Sequence, residues 1–273
     1  MSLTYHDGRL LPLSEVRISP QDAGFLFGDG LFETLRVENG RAFDVPAHLD
    51  RLFRGLKRIG LSIPETRCEL AAGLAAVARD TFHPLSRLRL TVTPGEEGRE
   101  PTRLIVAVYY QPPGLGAYRG GVPVRLLPAS AVLSTSPAAG LKSLSYQAQR
   151  LALHEAGTAG AWDALLLNEH GRLAEATRCN VILVLPEGVF TPPQSEGCLG
   201  GTVRRRLLEA GAVAERPLTR EDLDRAVEVL LTNSLIGVLP VGRIDGRPVG
   251  VHGTADRLRA QLPGFRPFRK RRP

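Results

Sequence analysis

Lys142 is the residue with the clearest chemical potential. Of the 35 lysines and arginines, only Lys57, Lys142 and Lys270 are lysine, and Lys142 alone lies among small and apolar residues, in the run Ala139-Gly140-Leu141-Lys142-Ser143-Leu144-Ser145-Tyr146. An arginine keeps its proton, whereas a lysine in an apolar setting gives it up and attacks carbonyl groups. The same residue also fits a helix start with its charge in solvent. A second candidate is the loop Gly197-Cys198-Leu199-Gly200-Gly201, which leads into a helical pattern at Thr202. Glycines let backbone N–H groups approach an anion, and a helix N-terminus adds a favourable partial charge. The loop matches neither a nucleotide-binding nor a dinucleotide-binding glycine motif, and an ordinary turn has the same composition. Glu175 closes a strand-like run. A carboxylate beside an aromatic nitrogen keeps that nitrogen protonated, although pairing with Arg172 or Arg178 explains it equally well. His48 and Arg51 are one helical turn apart, off the apolar stripe. The planar fork of Arg51 suits a phosphate, and a solvated surface charge is the alternative. A carbonyl-reactive lysine, a phosphate cup with an arginine, and an acid for a ring nitrogen are together the parts of a pyridoxal phosphate site.

The elements that must position these residues follow from periodicity and turn chemistry. Asp7-Gly8 and Asn39-Gly40 are hairpin turns, with strands expected at 31–37 and 41–45 around the second. Helical spacing of Leu49, Leu52, Phe53, Leu56 and Ile59 predicts a helix over 46–59, ended by Gly60. A second helix is expected at 64–79 and strands at 87–93 and 103–110. Residues 111–121 are rich in Pro and Gly and read as a linker. Beyond it, strands are expected at 122–127, 164–167, 173–177, 181–185, 227–231 and 238–244, with helices at 143–156 and 202–210. Strands and helices do not alternate regularly, so the class is α+β rather than a doubly wound sheet. The domains are 1–111, a linker over 112–121, and 122–273 with a basic tail.

Composition narrows the function. The chain has 273 residues, 43% hydrophobic and 23% charged, which is globular. Much of the net charge of +7 comes from Arg266, Arg269, Lys270, Arg271 and Arg272. Aromatic residues do not interleave with the basic ones, so nucleic acid is not expected as a partner. Cys68, Cys179 and Cys198 show no metal-ligand spacing and read as reduced thiols of a cytoplasmic protein with no metal. No run is long enough to cross a membrane.

The order of these motifs resembles the fold-type IV pyridoxal-phosphate enzymes, a class of branched-chain and D-amino acid aminotransferases and 4-amino-4-deoxychorismate lyases. The resemblance rests on Phe27-Gly28-Asp29-Gly30-Leu31-Phe32-Glu33-Thr34-Leu35-Arg36, His48-Leu49-Asp50-Arg51-Leu52, Leu141-Lys142-Ser143-Leu144-Ser145-Tyr146, Glu175 to Val181, and Leu199-Gly200-Gly201-Thr202-Val203-Arg204. It implies two α+β domains with the cofactor, pyridoxal 5'-phosphate, between them, and a homodimer in which residues 87–99 are the candidate for a loop lent to the partner's site. It implies Lys142 as the catalytic Schiff-base lysine and Arg51 on the phosphate. Tyr146 goes near the phenolic oxygen and Glu175 on the ring nitrogen. The N–H groups of Thr202 and Val203 and the Ser234 hydroxyl complete the phosphate contacts, with Arg36 and Arg99 as candidates for the substrate carboxylate.

The run Leu231-Thr232-Asn233-Ser234-Leu235-Ile236-Gly237 is similar to the lyase group. The expected activity is therefore conversion of 4-amino-4-deoxychorismate to 4-aminobenzoate and pyruvate, a step of folate biosynthesis. The alternative is a D-amino acid or branched-chain aminotransferase, and a further one is a non-catalytic basic nucleic-acid-binding or regulatory protein. Ser145 replaces the asparagine usual after the lysine in the Lys142 block, and Pro94 stands where an arginine often precedes the glycine, here Gly95.

Overall fold

The computed structural model describes residues 3–81, 83–262, 264, 265 and 267. The basic tail expected from Arg269 onward, with Lys270, lies outside them, as does Arg266. The chain divides into two compact units, one of residues 1–111 with 141–146 and the other of 112–140 with 147–273.

In the first unit, β1 (Leu3–His6) and β2 (Arg9–Pro12) form the hairpin around Asp7-Gly8, followed by the short helix α1 (Ala23–Phe27). β3 (Leu31–Glu38) turns through Asn39-Gly40 into β4 (Arg41–Ala42). Two helices come next, α2 (Val45–Arg58) and α3 (Arg67–Arg79), then β5 (Leu85–Thr93) and β6 (Thr102–Tyr109). The strands form an antiparallel sheet in the order β2-β1-β6-β5-β3-β4. Helix α3 starts where Thr66 and Glu69 form a reciprocal capping box, three residues later than the pattern predicts. α2 and α3 bury Leu49, Leu52, Leu56, Leu70, Leu74 and Val77 against Leu31, Leu35, Val37, Leu88 and Leu90 of the sheet. Each such side chain is worth about 1.5–3 kcal/mol of burial. Because side chains alternate along a strand, the remaining residues of β3 and β5 point to the opposite face: Phe32, Thr34 and Arg36 opposite Thr91, Arg89 and Arg87.

The second unit runs α4 (Leu115–Gly120), β7 (Val122–Val132), α5 (Gln147–Thr158), β8 (Asp163–Asn168), β9 (Leu173–Ala176), β10 (Asn180–Leu185), β11 (Gly188–Thr191), α6 (Thr202–Glu209), β12 (Ala214–Glu215), α7 (Arg220–Arg225), β13 (Glu228–Asn233), β14 (Gly237–Ile244), β15 (Arg247–Pro248) and α8 (Thr254–Ala260). Its curled sheet has the order β12-β11-β10-β13-β14-β7-β8-β9, with β15 on β14. One core layer joins Val181, Leu183, Leu231 and Leu239, and a second packs Val203, Leu207, Ala255 and Leu258 of α6 and α8 on Ile182 and Leu230.

Two expectations differ from this arrangement. The stretch expected as a linker holds α4, whose Tyr118 is buried and donates its hydroxyl to the Ile236 carbonyl at 3.1 Å, so it is part of the second unit. Residues 143–146, expected to begin a helix, are not helical, and α5 starts at Gln147. Their backbone groups are taken by β3: Phe32 N donates to Lys142 O at 2.9 Å and Leu144 N to Gly30 O at 3.0 Å. Lys142 is thereby placed with the first unit.

Candidate active site

In the first unit, the segment 141–146 lies along the start of β3, and Leu31 and Ser143 form an antiparallel bridge. Gly30 lets both neighbours come close. Its φ is +131°, and a Cβ there would collide with the Val92 carbonyl oxygen of β5 and crowd Leu144 Cδ1 of the segment. The segment is further held by Ser145 Oγ, which donates to Gly28 O at 3.1 Å. Lys142 Nζ lies 4.4 Å from the centre of the Phe32 ring. The Arg89 guanidinium lies 3.8 Å from the same centre, and the Tyr146 ring meets it edge-on at 5.9 Å. An aromatic face attracts cations, so Phe32 gathers Lys142 and Arg89 at one corner of the sheet. Burial, followed by the charge of Arg87, disfavours the cationic form of Arg89. An anion at this corner would relieve both effects.

On the other face of β3, Glu33 is buried among the core leucines. Arg51 grips it two-pronged, Nε to Oε1 at 2.8 Å and Nη2 to Oε2 at 2.6 Å. His48 Nδ1 lies 2.6 Å from Oε2. Burial pushes the Glu33 carboxyl up, but the charge and hydrogen bonds of Arg51, with the hydrogen bond of His48, outweigh it and bring it down to about 2. For His48 burial dominates over the attraction of Glu33 and lowers its pKa. The cluster is therefore an ionised carboxylate, a cationic arginine and a neutral histidine donating through Nδ1. His48 is buried, although the helical pattern places it off the apolar stripe.

The two residues expected on the substrate carboxylate each pair with a carboxylate of this chain. Arg36 is 1% exposed and bound to Glu38 two residues along β3. Arg99 is exposed in the loop after β5 and pairs loosely with Glu96 at 3.5 Å.

In the second unit, the backbone N–H of Leu199 donates to Glu175 Oε2 at 3.0 Å, which ties the end of β9 to the glycine loop. The loop is also held by Asn180, whose Nδ2 donates to Leu199 O at 2.7 Å. A Cβ at Gly201 would collide with Asn180 Oδ1. Gly201 is the N-cap of α6 and supplies no side-chain cap, so the first amides of the helix, Thr202 and Val203 among them, keep their capacity for an anion. Arg172 and Arg178, the structural partners considered for Glu175, bind Glu196 and Asp163. Ser234 follows β13 in a turn shaped by Asn233, whose Oδ1 accepts from Leu235 N at 2.9 Å and Ile236 N at 3.0 Å. Asn233 Nδ2 donates to Arg178 O at 3.1 Å, which joins that turn to the one following β9. The glycine cradle, the uncapped helix start and the hydrogen-bonded carboxylate fit the phosphate and ring nitrogen of pyridoxal phosphate.

Comparison with known proteins decides the family. Residues 30–244 match the family described as amino-transferase class IV. The chain belongs to it. This class IV protein is 28% identical to a branched-chain-amino-acid aminotransferase of Pseudomonas aeruginosa over 90% of this chain and 86% of that one. It is also 28% identical to a D-alanine aminotransferase of Bacillus licheniformis, over 89% of each. Among solved structures it is similar to 4-amino-4-deoxychorismate lyase of Pseudomonas aeruginosa, with 30% identity, a TM-score of 0.81 and coverage of 95% and 98%. It is a pyridoxal-phosphate-dependent enzyme of fold-type IV, built as two α+β domains.

Glu33, Arg89 and Asn180 were not singled out for a role from sequence, although each left a trace. Glu33 occupies an inward position of β3 where the alternation calls for an apolar residue. Arg89 sits at an outward position of β5, between Arg87 and Thr91. Asn180 opens β10 with a polar side chain that is buried. Among the described residues no helix is long and apolar enough to cross a membrane, and no group of three or more acidic, histidine or cysteine side chains is placed to hold a metal.

Proposed function

We infer that this class IV enzyme is an aminotransferase, exchanging an amino group between an amino acid and a keto acid. Two of the three relatives named above carry aminotransferase names. The observation that carries the reading is the Phe32 corner, where a lysine amine and an arginine guanidinium share one ring. An amino acid substrate presents its amine and its carboxylate on the same carbon and suits such a pair.

The assignments follow the motifs. Lys142 would bond the cofactor's carbonyl carbon with loss of water, Tyr146 would serve its phenolic oxygen, and Glu175 would serve its ring nitrogen. Arg51, the N–H groups of Thr202 and Val203, and the Ser234 hydroxyl would be its phosphate ligands. When bound, the cofactor supplies an electron sink for the charge left when a proton departs from the amine-bearing carbon. Once the substrate amine has displaced it, Lys142 Nζ would take up that proton and later return it to carbon. The hydrogen bond from Leu199 fixes the Glu175 carboxylate in place, so its charge stays where the ring nitrogen needs it. Arg89 takes the carboxylate role considered for Arg36 and Arg99. A basic corner of this kind also suits a dianionic substrate.

A second reading is the lyase that releases 4-aminobenzoate and pyruvate. It is favoured by the Asn233-Ser234-Leu235 run, by the hydrogen bonds through which Asn233 shapes that turn, and by the 30% identical lyase. No keto acid is needed in that reaction. The free thiols Cys68, Cys179 and Cys198 support a cytoplasmic setting, and the exposed Phe25, Leu26 and Phe27 support a homodimer.

The two readings separate on one experiment. Cofactor-loaded enzyme is given branched-chain L-amino acids and D-amino acids with 2-oxoglutarate, and separately 4-amino-4-deoxychorismate without any keto acid. Turnover that requires the keto acid is expected. Formation of 4-aminobenzoate in its absence, with no transfer from amino acids, would replace this reading with the lyase. Lys142→Ala is expected to abolish either reaction and the bound-cofactor absorbance.

A further inference from the structure

We propose that Glu33 and His48 are positioning residues that hold Arg51 as an oriented phosphate receptor. This rests on the assignment of Arg51 to the cofactor phosphate. The first observation is the placement of the carboxylate. Glu33 is 1% exposed and stands in the row Leu31, Leu35 and Val37 that packs on the helices. Burying an ion pair in such a layer gives little stability compared with aliphatic side chains of the same volume. A pair kept there is better explained by what it fixes than by what it stabilises.

The second observation is the geometry. Glu33 uses both oxygens on one edge of the guanidinium, through Nε at 2.8 Å and Nη2 at 2.6 Å. That two-point contact fixes the plane of the fork and its rotation in the plane. His48, 1% exposed and one turn before Arg51 on α2, brings Nδ1 to 2.6 Å from the same carboxylate oxygen. It supplies a hydrogen bond without adding a second positive charge. Glu33 is thus held from two sides by one helix. Arg51 is anchored at its buried edge yet keeps 13% of its side chain exposed. A guanidinium fixed in this way does not lose rotamer freedom when it meets an anion, so more of the contact appears as affinity.

Only the phosphate contact should depend on this clamp. The probes are therefore pyridoxal phosphate and pyridoxal, titrated into the apoenzyme and followed by absorbance. Arg51→Gln is expected to weaken pyridoxal phosphate binding about tenfold to a hundredfold, the range for a charge-assisted hydrogen bond, and to leave pyridoxal binding unchanged. Glu33→Gln is expected to weaken pyridoxal phosphate about fivefold or more, again sparing pyridoxal. In the Arg51→Gln background the Glu33 substitution should have no further effect, since it acts through Arg51. His48→Leu should follow Glu33→Gln, with His48→Asn restoring affinity because its amide donates from the place of Nδ1. Should Glu33→Gln not fold, the His48 variants with and without Arg51→Gln complete the same cycle.

Unchanged pyridoxal phosphate affinity in Arg51→Gln would overturn both the Arg51 assignment and the positioning role. The positioning role alone falls if Arg51→Gln weakens binding while Glu33→Gln and His48→Leu do not. It falls equally if their effects persist without Arg51 or extend to pyridoxal.

Discussion

Lys142 and Arg89 meet at Phe32 from different parts of the chain, Arg89 from the middle of β5 and Lys142 from a segment more than fifty residues later. Arg89 also donates through Nε to Thr91 Oγ1 at 3.3 Å, which steadies it along its strand. If it binds the substrate carboxylate, Arg89→Gln should raise KM for amino acids about tenfold to a hundredfold, the scale of a charged hydrogen bond. It should leave KM for an amine lacking a carboxylate nearly unchanged. Steady-state kinetics with the two donor types test this, and equal losses for both would move the role to another cation.

At the same scale the Glu33 cluster predicts how stability responds to acid. Both Glu33 and His48 have lowered pKa values in the folded chain, so the unfolded chain binds more protons in their windows and stability rises with pH there. The His48 share is present above its ordinary value of 6.5 and is lost as pH falls below it. The Glu33 share is present above 4.5 and is lost as pH falls toward about 2. The Glu33 shift corresponds to about 3 kcal/mol. Urea midpoints measured from pH 7.5 to 5.5 should fall for the wild-type protein and fall less steeply for His48→Asn. Parallel slopes would mean that His48 titrates normally.

At the scale of elements, the glycine loop and α6 behave as one piece with the end of β9, because Glu175 accepts from Leu199 N and Asn180 donates to Leu199 O. Gly201→Ala would drive a Cβ into Asn180 Oδ1. Overpacking of this kind costs about 1–3 kcal/mol, and here the strain bears on the amides proposed to bind the phosphate. The variant should bind pyridoxal phosphate at least about tenfold more weakly, read by cofactor titration, while its far-ultraviolet spectrum stays that of the wild type. Unaltered affinity would show that the loop has room to move.

Much of this layer was legible in the sequence. The hairpin turns at Asp7-Gly8, Asn39-Gly40 and Asp245-Gly246 declare themselves because Asp and Asn tolerate positive φ next to glycine, and all three have it. Helix α2 follows directly from its leucine spacing. The start of α5 was not legible, because the helical pattern over 143–146 gives way to backbone hydrogen bonds with β3, contacts more than one hundred residues away in sequence. The burial of His48 was hidden for a related reason. Its partner Glu33 lies on a strand fifteen residues earlier, and only the packing of α2 on β3 makes a polar residue acceptable there. Arg36 had the right residue type for a carboxylate, but its burial against Glu38 depends on which face of β3 it occupies and what covers that face.

At the scale of the whole molecule, the question is what covers α1. This short helix exposes 73% of Phe25, 53% of Leu26 and 76% of Phe27. It is not a loose loop. Buried Asp22 caps it by accepting from Gly24 N at 2.7 Å, and the same carboxylate accepts from Thr93 Oγ1 at 2.8 Å and Thr102 Oγ1 at 2.7 Å. A rigid mount for three large apolar side chains marks an interaction surface. In a twofold dimer each substitution acts twice. Phe25→Glu with Phe27→Glu therefore removes four aromatic rings from the interface, about 6 kcal/mol or more at ~1.5–3 kcal/mol each, roughly four decades in Kd. Light scattering at micromolar protein should find the wild type as a dimer and the double variant as a folded monomer. A wild-type monomer, or a variant that stays dimeric, would move the interface away from α1.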